Sequence, residues 1–182
     1  APGQFWCMKT ILFFCISSAL LTVSILLTGC AAGDESGAPQ IQTSDNSAGE
    51  PAAALAVAHW VKGEPVDVSS GVHVVEFWAT WCPPCLTSIP HLTELQEKFK
   101  DRGVNIIGVS KEKLDTVEPF VKKMGDKMAY TVAIDGGVIS KDYMEKYNIG
   151  GIPHAFVVKD GEVAWHGHPM TGLDDAIEDA LK

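Results

Sequence analysis

An α/β fold with a mixed central sheet flanked by helices is the class this sequence predicts, and three observations predict it. Strand-like and helix-like segments alternate from about residue 56 onward. The strongest strand-like run, VHVVEFWA at 72–79, is apolar at nearly every position, as a strand covered on both faces must be. The last of them, HAFVVKDGEVAWHG, places two strand-like runs around an Asp160-Gly161 turn and so adds an antiparallel hairpin.

The 182 residues leave room for one domain and its appendages. Residues 8–29 begin with Met8 and Lys9, run apolar from Ile11 to Leu27 and end in small residues, the pattern of a secretory signal peptide. The stretch Leu27-Thr28-Gly29-Cys30 resembles a bacterial lipobox, so Cys30 is expected to carry lipid after cleavage. An uncleaved anchor is the alternative, because the apolar run nearly reaches the ~18–20 residues that span a bilayer. Residues 1–7, APGQFWC, have no role in either account and are set aside as an upstream extension or an expression scar. Residues 30–55, the lipidated cysteine and a small, polar, acidic stretch without helical or strand period, are expected to form a flexible linker spanning roughly 25–30 Å. The folded domain is expected at 56–182.

Charge narrows the partners. Loss of residues 1–29 would leave 13 basic and 23 acidic side chains, a net charge of −10, with no basic run to neutralise phosphates. Nucleic acid is therefore excluded as a partner, and the acidity is that of a soluble surface.

Within the domain, HWVKGEPVDV at 59–68 reads as a short strand or hairpin turning at Lys62-Gly63, and 72–79 as the central strand. From Pro83 to Lys100, Leu86, Ile89, Leu92, Leu95 and Phe99 recur at spacings of three and four, one face of a helix that Pro90 should kink. VNIIGVS at 104–110 is a second buried strand, LDTVEPFVKKMG a helix stopped at Gly125, and MAYTVAID at 128–135 a third strand. ISKDYMEKYNIG should be a helix ending at Gly150. After the hairpin, Thr171 and Asp174 form a capping box for a last helix that buries Leu173, Ile177 and Leu181.

The chemistry lies in WCPPC. Of five cysteines, Cys7 and Cys15 would leave with the leader and Cys30 would hold lipid, so Cys82 and Cys85 remain to react, and in an oxidising compartment they can persist as a disulfide. Cys82 falls where a buried strand hands over to a helix. The unpaired N–H groups and positive dipole end of the first turn stabilise a thiolate there, while Cys85, one turn on, is more enclosed and suited to resolving a mixed disulfide. Prolines fit at 83 and 84 because first-turn N–H groups have no helical partner to lose. A zinc site needs four ligands, and no second cysteine pair exists; only His166 and His168 of the six histidines are close in sequence. A redox pair, a metal site and an inert structural disulfide all stay open at this level.

VVEFWATWCPPC, with GGIP at 150–153 ahead of a strand and hairpin, resembles the thioredoxin superfamily, and within it the membrane-tethered TlpA/ResA-like thiol-disulfide oxidoreductases, over residues 56–182. The 68 residues from Cys85 to Pro153 exceed a minimal thioredoxin, and the resemblance implies an extra strand-helix insertion before a cis-proline in a thioredoxin-like fold. It implies Cys82 as attacking thiolate, Cys85 as resolving thiol and Pro153 as that cis-proline. The exposed Ile152 backbone would meet a substrate strand, so Trp81, Pro83, Pro84, Ile152, Pro153 and His154 form the expected substrate-binding surface, with Trp78 a further aromatic of the site. Glu76 stands where thioredoxin has a buried acid, which would exchange a proton with Cys85; a solvated carboxylate at the strand's edge is the alternative. Two departures, His154 after the cis-proline and Pro83 in place of glycine, leave groove specificity and reduction potential open. No Pro-x-x-x-Thr-x-x-Cys pattern is present, which argues against a peroxiredoxin.

The expectation is thus a monomeric, membrane-tethered, extracytoplasmic enzyme that uses the Cys82–Cys85 disulfide and no other cofactor or metal. It would reduce exported disulfide-containing proteins, apocytochrome c among them, with electrons from a transmembrane thiol donor. An oxidase or isomerase with the same cysteines, a copper or zinc carrier using Cys82, Cys85 and His154 or His166, and a purely structural interaction domain are the alternatives.

Overall fold

The computed structural model describes residues 49–182. The segments expected from the sequence to be a signal peptide, a lipidation site at Cys30 and a linker lie, up to residue 48, outside the described residues.

Seven strands form one mixed sheet: β1 Glu50–Pro51, β2 Val57–Lys62, β3 Val72–Trp78, β4 Asn105–Ser110, β5 Thr131–Asp135, β6 His154–Lys159 and β7 Glu162–Gly167. Their order is β1-β7-β6-β3-β4-β5-β2. The pairs β3–β4 and β4–β5 are parallel, and β6, β7, β1 and β2 add antiparallel. Central β3 is buried at all seven positions, His73 and Glu76 included, in keeping with its nearly continuous apolar run.

Alternation along β3 divides the core. Val74 and Trp78 face a cluster with α1 Pro83–Phe99, α2 Leu114–Met124 and α3 Leu173–Ala180, through side chains such as Ile89, Leu92, Val117 and Ile177. Val75 and Phe77 face the opposite cluster, with Val109, Phe156 and the π-helical turn Lys141–Glu145. Each fully buried side chain of this size contributes roughly 1.5–3 kcal/mol, so the two layers supply most of the driving force. Two strand-helix units, β4–α2 and β5 with the π-turn, separate α1 from Pro153, in agreement with the expected insertion.

Several boundaries differ from expectation. The domain starts by Gly49: the end of the supposed linker pairs Glu50 and Pro51 with β7, and Ala52, Ala53 and Leu55 pack on the second cluster. Without that pairing the outer edge of β7 would present unpaired backbone groups. Of the two readings of 59–68 the short strand holds, as the end of β2, which pairs with β5; no hairpin forms there. Leu86 is 36% exposed because Cys85 and Ser88 occupy the buried stripe of α1; Pro90 lies inside this helix at an exposed position. A 3-10 turn takes Gly125–Met128, so β5 begins at Thr131 rather than Met128. The segment after β5 makes only a short π-turn and leaves helical geometry at Asn148, whose φ is 55°. Gly172, not Thr171, caps α3, and no side chain bonds the cap, so the expected capping box is out of register.

Candidate active site

The site forms where β3 ends and α1 begins. Cys82 is the N-cap of α1, Pro83 and Pro84 occupy the first two helical positions, and Cys82 and Cys85 are joined by a disulfide across 5.2 Å between Cα atoms. Every backbone donor at this terminus has a place. The Cys82 N–H donates to the Ala79 carbonyl at 3.2 Å, the two prolines have no N–H, and the remaining first-turn donor, Cys85, points its N–H at Cys82 Sγ at 3.3 Å. The two prolines thus leave one free first-turn N–H, and it is aimed at the outer sulfur.

The Ile152–Pro153 bond is cis, and the Ile152 carbonyl lies 3.8 Å from Cys82 Sγ. Beside them runs a groove of about 590 Å³, lined by Trp81, Cys82, Pro83, Pro84 and Ile152 and closed on its far wall by Met144 of the π-turn. Trp81 projects from its rim with 70% of its surface exposed, whereas Cys82 is 3% exposed and Cys85 is fully enclosed. Pro153 is buried and does not line the groove.

Glu76 is fully buried on β3, between Val74 and Trp78 and on the face that packs against α1, and neither carboxylate oxygen has a hydrogen-bond partner. Burial pushes its carboxyl up to about 8. The alternative of a solvated edge carboxylate does not hold. Two further buried polar atoms without partners, Trp78 Nε1 and Tyr130 Oη, gather with it around Gly108, the residue opposite Glu76 on β4. A Cβ on Gly108 would stand 3.0 Å from the Tyr130 ring and 3.1 Å from Trp78 Nε1, so any other residue would make the two rings give way by a few tenths of an ångström. Burial and then the Glu76 charge raise the Tyr130 hydroxyl well above its ordinary value.

His154 is placed elsewhere. Its ring packs on Phe156 at 5.2 Å and its Nε2 lies 3.0 Å from His166 Nδ1; it does not line the groove. Burial, followed by His166 and His168, lowers it to about 4, and burial lowers His166 as well, so both rings are neutral at physiological pH. The structure therefore separates His154 from the groove-lining part of the expected substrate surface. Among the described residues no three His, Cys, Asp or Glu side chains are gathered as a metal-binding set.

Sequence reasoning missed Glu112, Tyr130 and the π-turn wall. Glu112 follows the carboxyl end of parallel strand β4, where sites in such sheets gather, and that position was its one available signal.

Fold and site together define a thioredoxin-fold protein with a redox-capable disulfide at a helix N-terminus beside a cis-proline. The chain belongs to the AhpC/TSA family, whose model matches residues 49–166. It is 38% identical over 91 residues to the thiol-disulfide oxidoreductase ResA of Bacillus thuringiensis strain Al Hakam, 49% of this chain and 50% of that protein. The chain thus spans about half the length of the curated relatives it matches. Among solved structures it is similar to a thioredoxin-family thiol:disulfide interchange protein from Chlorobium tepidum TLS, with a TM-score of 0.61 and 26% identity over 74% of this chain and 97% of that one. A thiol:disulfide interchange protein from a Bacteroides species gives the same score and identity over 72% and 88%.

Proposed function

We propose that this protein is an extracytoplasmic thiol-disulfide oxidoreductase that reduces disulfides of exported proteins. The observation that carries the reading is the aim of the single free first-turn N–H at Cys82 Sγ, beside an exposed groove. In the reduced protein the Cys82 thiolate accepts that N–H and the helix dipole, and attacks one sulfur of a substrate disulfide. The substrate S–S bond breaks, its second sulfur leaves as a thiolate that takes a proton, and a mixed disulfide with Cys82 forms. Cys85 then loses its proton and attacks Cys82 Sγ. The mixed disulfide breaks, the second substrate thiol is released, and two electrons have passed from the dithiol to the substrate. Glu76, on the face packed against α1 and raised to about 8, takes the Cys85 proton when ionised and returns it on re-reduction.

Extracytoplasmic placement is supported by the signal-like residues 8–29 and the lipobox-like Cys30, both in the sequence. No helix among the described residues is long and apolar enough to cross a membrane; attachment in this reading is assigned to the N-terminal segment from its sequence pattern. Apocytochrome c as a substrate and a transmembrane thiol donor as electron source rest on the resemblance to ResA-like proteins.

The test is trapping. Cys85→Ser should accumulate mixed disulfides between Cys82 and exported proteins, visible on non-reducing gels and absent from the Cys82→Ser variant. Equal adducts from both variants, or none from Cys85→Ser, would contradict the assignment.

A further inference from the structure

The loop that presents Cys82 is fastened by a carboxylate that the exchange chemistry does not use. Thr80, two residues before Cys82, donates its backbone N–H to one oxygen of Glu112 at 2.6 Å and its hydroxyl to the other at 2.8 Å. Glu112 is itself held: its N–H donates to Ser110 Oγ at 3.2 Å, and that hydroxyl lies 3.4 Å from Glu112 Oε2. Ser110 is fully buried and ends β4 directly opposite Trp78, the last residue of β3. The five residues from Trp78 to Cys82 are thereby tied at their first residue by the sheet, at Thr80 by Glu112, and at Cys82 by its bond to Ala79.

A backbone donor and a side-chain donor on the two oxygens of one carboxylate fix the orientation of Thr80 as well as its position, with the strength of charge-assisted bonds. A single residue, Trp81, separates this anchor from Cys82. An error in the Thr80 peptide plane would therefore reach both Trp81 at the groove rim and the N-cap geometry of Cys82. Glu112 also lines the groove, so the tie is made beside the place where substrate would lie.

We infer that Glu112 is a positioning residue for Cys82, holding the Thr80-Trp81-Cys82 turn so that the sulfur meets a substrate disulfide in attack geometry. The inference rests on the thiol-disulfide reading of the site. Misplacement of a reacting group by about 1 Å can cost two orders of magnitude in rate, so a partial loosening of the loop should cost about tenfold.

The experiment measures disulfide exchange kinetics of the full chain in detergent, together with the Thr80 amide proton resonance and the rate at which iodoacetamide alkylates Cys82 in the reduced protein. Glu112→Ala should lower kcat about tenfold with KM changed less than about twofold, slow Cys82 alkylation and move the Thr80 resonance upfield; Glu112→Gln, which keeps one acceptor oxygen, should recover most of the rate. Thr80→Val removes only the hydroxyl bond and should give a smaller loss, which keeps the inference testable if Glu112→Ala does not fold. Unchanged kcat and alkylation in these variants would overturn the inference. So would a fall that is equal in Glu112→Ala and Glu112→Gln and follows only the folded fraction. A parent protein with no exchange activity would instead defeat the oxidoreductase reading, and the Thr80 resonance and Cys82 alkylation rates would still decide whether Glu112 positions the loop.

Discussion

Single residues account for the chemistry, and two of them set pH dependences of opposite sign. Glu76 is an acid whose folded value, about 8, lies above its ordinary 4.5. The folded protein therefore holds a proton that the unfolded chain releases, and stability present below pH 4.5 is lost as pH rises toward 8. Glu76→Gln should flatten this slope and leave the variant a few kcal/mol more stable than the parent at pH 8 relative to pH 5, because each tenfold change in proton affinity is worth about 1.4 kcal/mol. Urea denaturation at the two pH values checks it. The same variant should slow the resolving step, and an exchange rate and pH profile equal to the parent's would remove Glu76 from the mechanism. His154 behaves oppositely: its folded value is lowered to about 4, so the stability tied to its neutral ring is lost as pH falls from 6.5 toward 4. Replacing it with Gln should blunt acid denaturation in that window while leaving exchange at pH 7 within about twofold, since the ring is neutral there and outside the groove.

Secondary-structure elements were legible in the sequence to the extent that periodicity or a cap announced them. The nearly continuous apolar run of β3, the Asp160-Gly161 turn and the Gly125 stop are each carried by local residue chemistry, and each is found as expected. The misses have a common origin in tertiary contact. Two residues of β1 are too few to show alternation, and they become a strand only because β7 offers an edge. The π-turn is shaped by what it packs on: Tyr143 is 1% exposed and donates its hydroxyl to the Ala53 carbonyl at 2.8 Å, while Lys146 pairs with Glu50 at 3.0 Å. The N-terminal strap and the wall of the groove thus hold one another. A chain starting at Ala56 should be less stable than one starting at Gly49 by about 1–3 kcal/mol, from the Tyr143 bond and the short ladder, with the exposed ion pair adding little. Denaturation midpoints of the two chains, at equal slope, measure it.

At the scale of the whole molecule, the site is assembled from segments far apart in sequence. Cys82 sits at the junction of β3 and α1, the Ile152 carbonyl comes from the approach to β6, and Glu112 comes from the end of β4. WCPPC and GGIP could be read from the chain because each carries its chemistry in contiguous residues. Glu112 and Tyr130 could not, because their significance lies in the parallel pairing of β3 with β4 and in the space left by Gly108. The central claim, that this arrangement serves as a reductant through Cys82 and Cys85, is tested most directly by the reduction potential of the pair, measured by equilibrating the protein with glutathione mixtures. A reductant of this kind should give a value near or below about −230 mV, in the range of thioredoxin-like proteins. A value above about −180 mV would contradict the claim and make the protein an oxidant or isomerase, and failure of the two cysteines to form a disulfide at all would contradict the oxidoreductase reading itself.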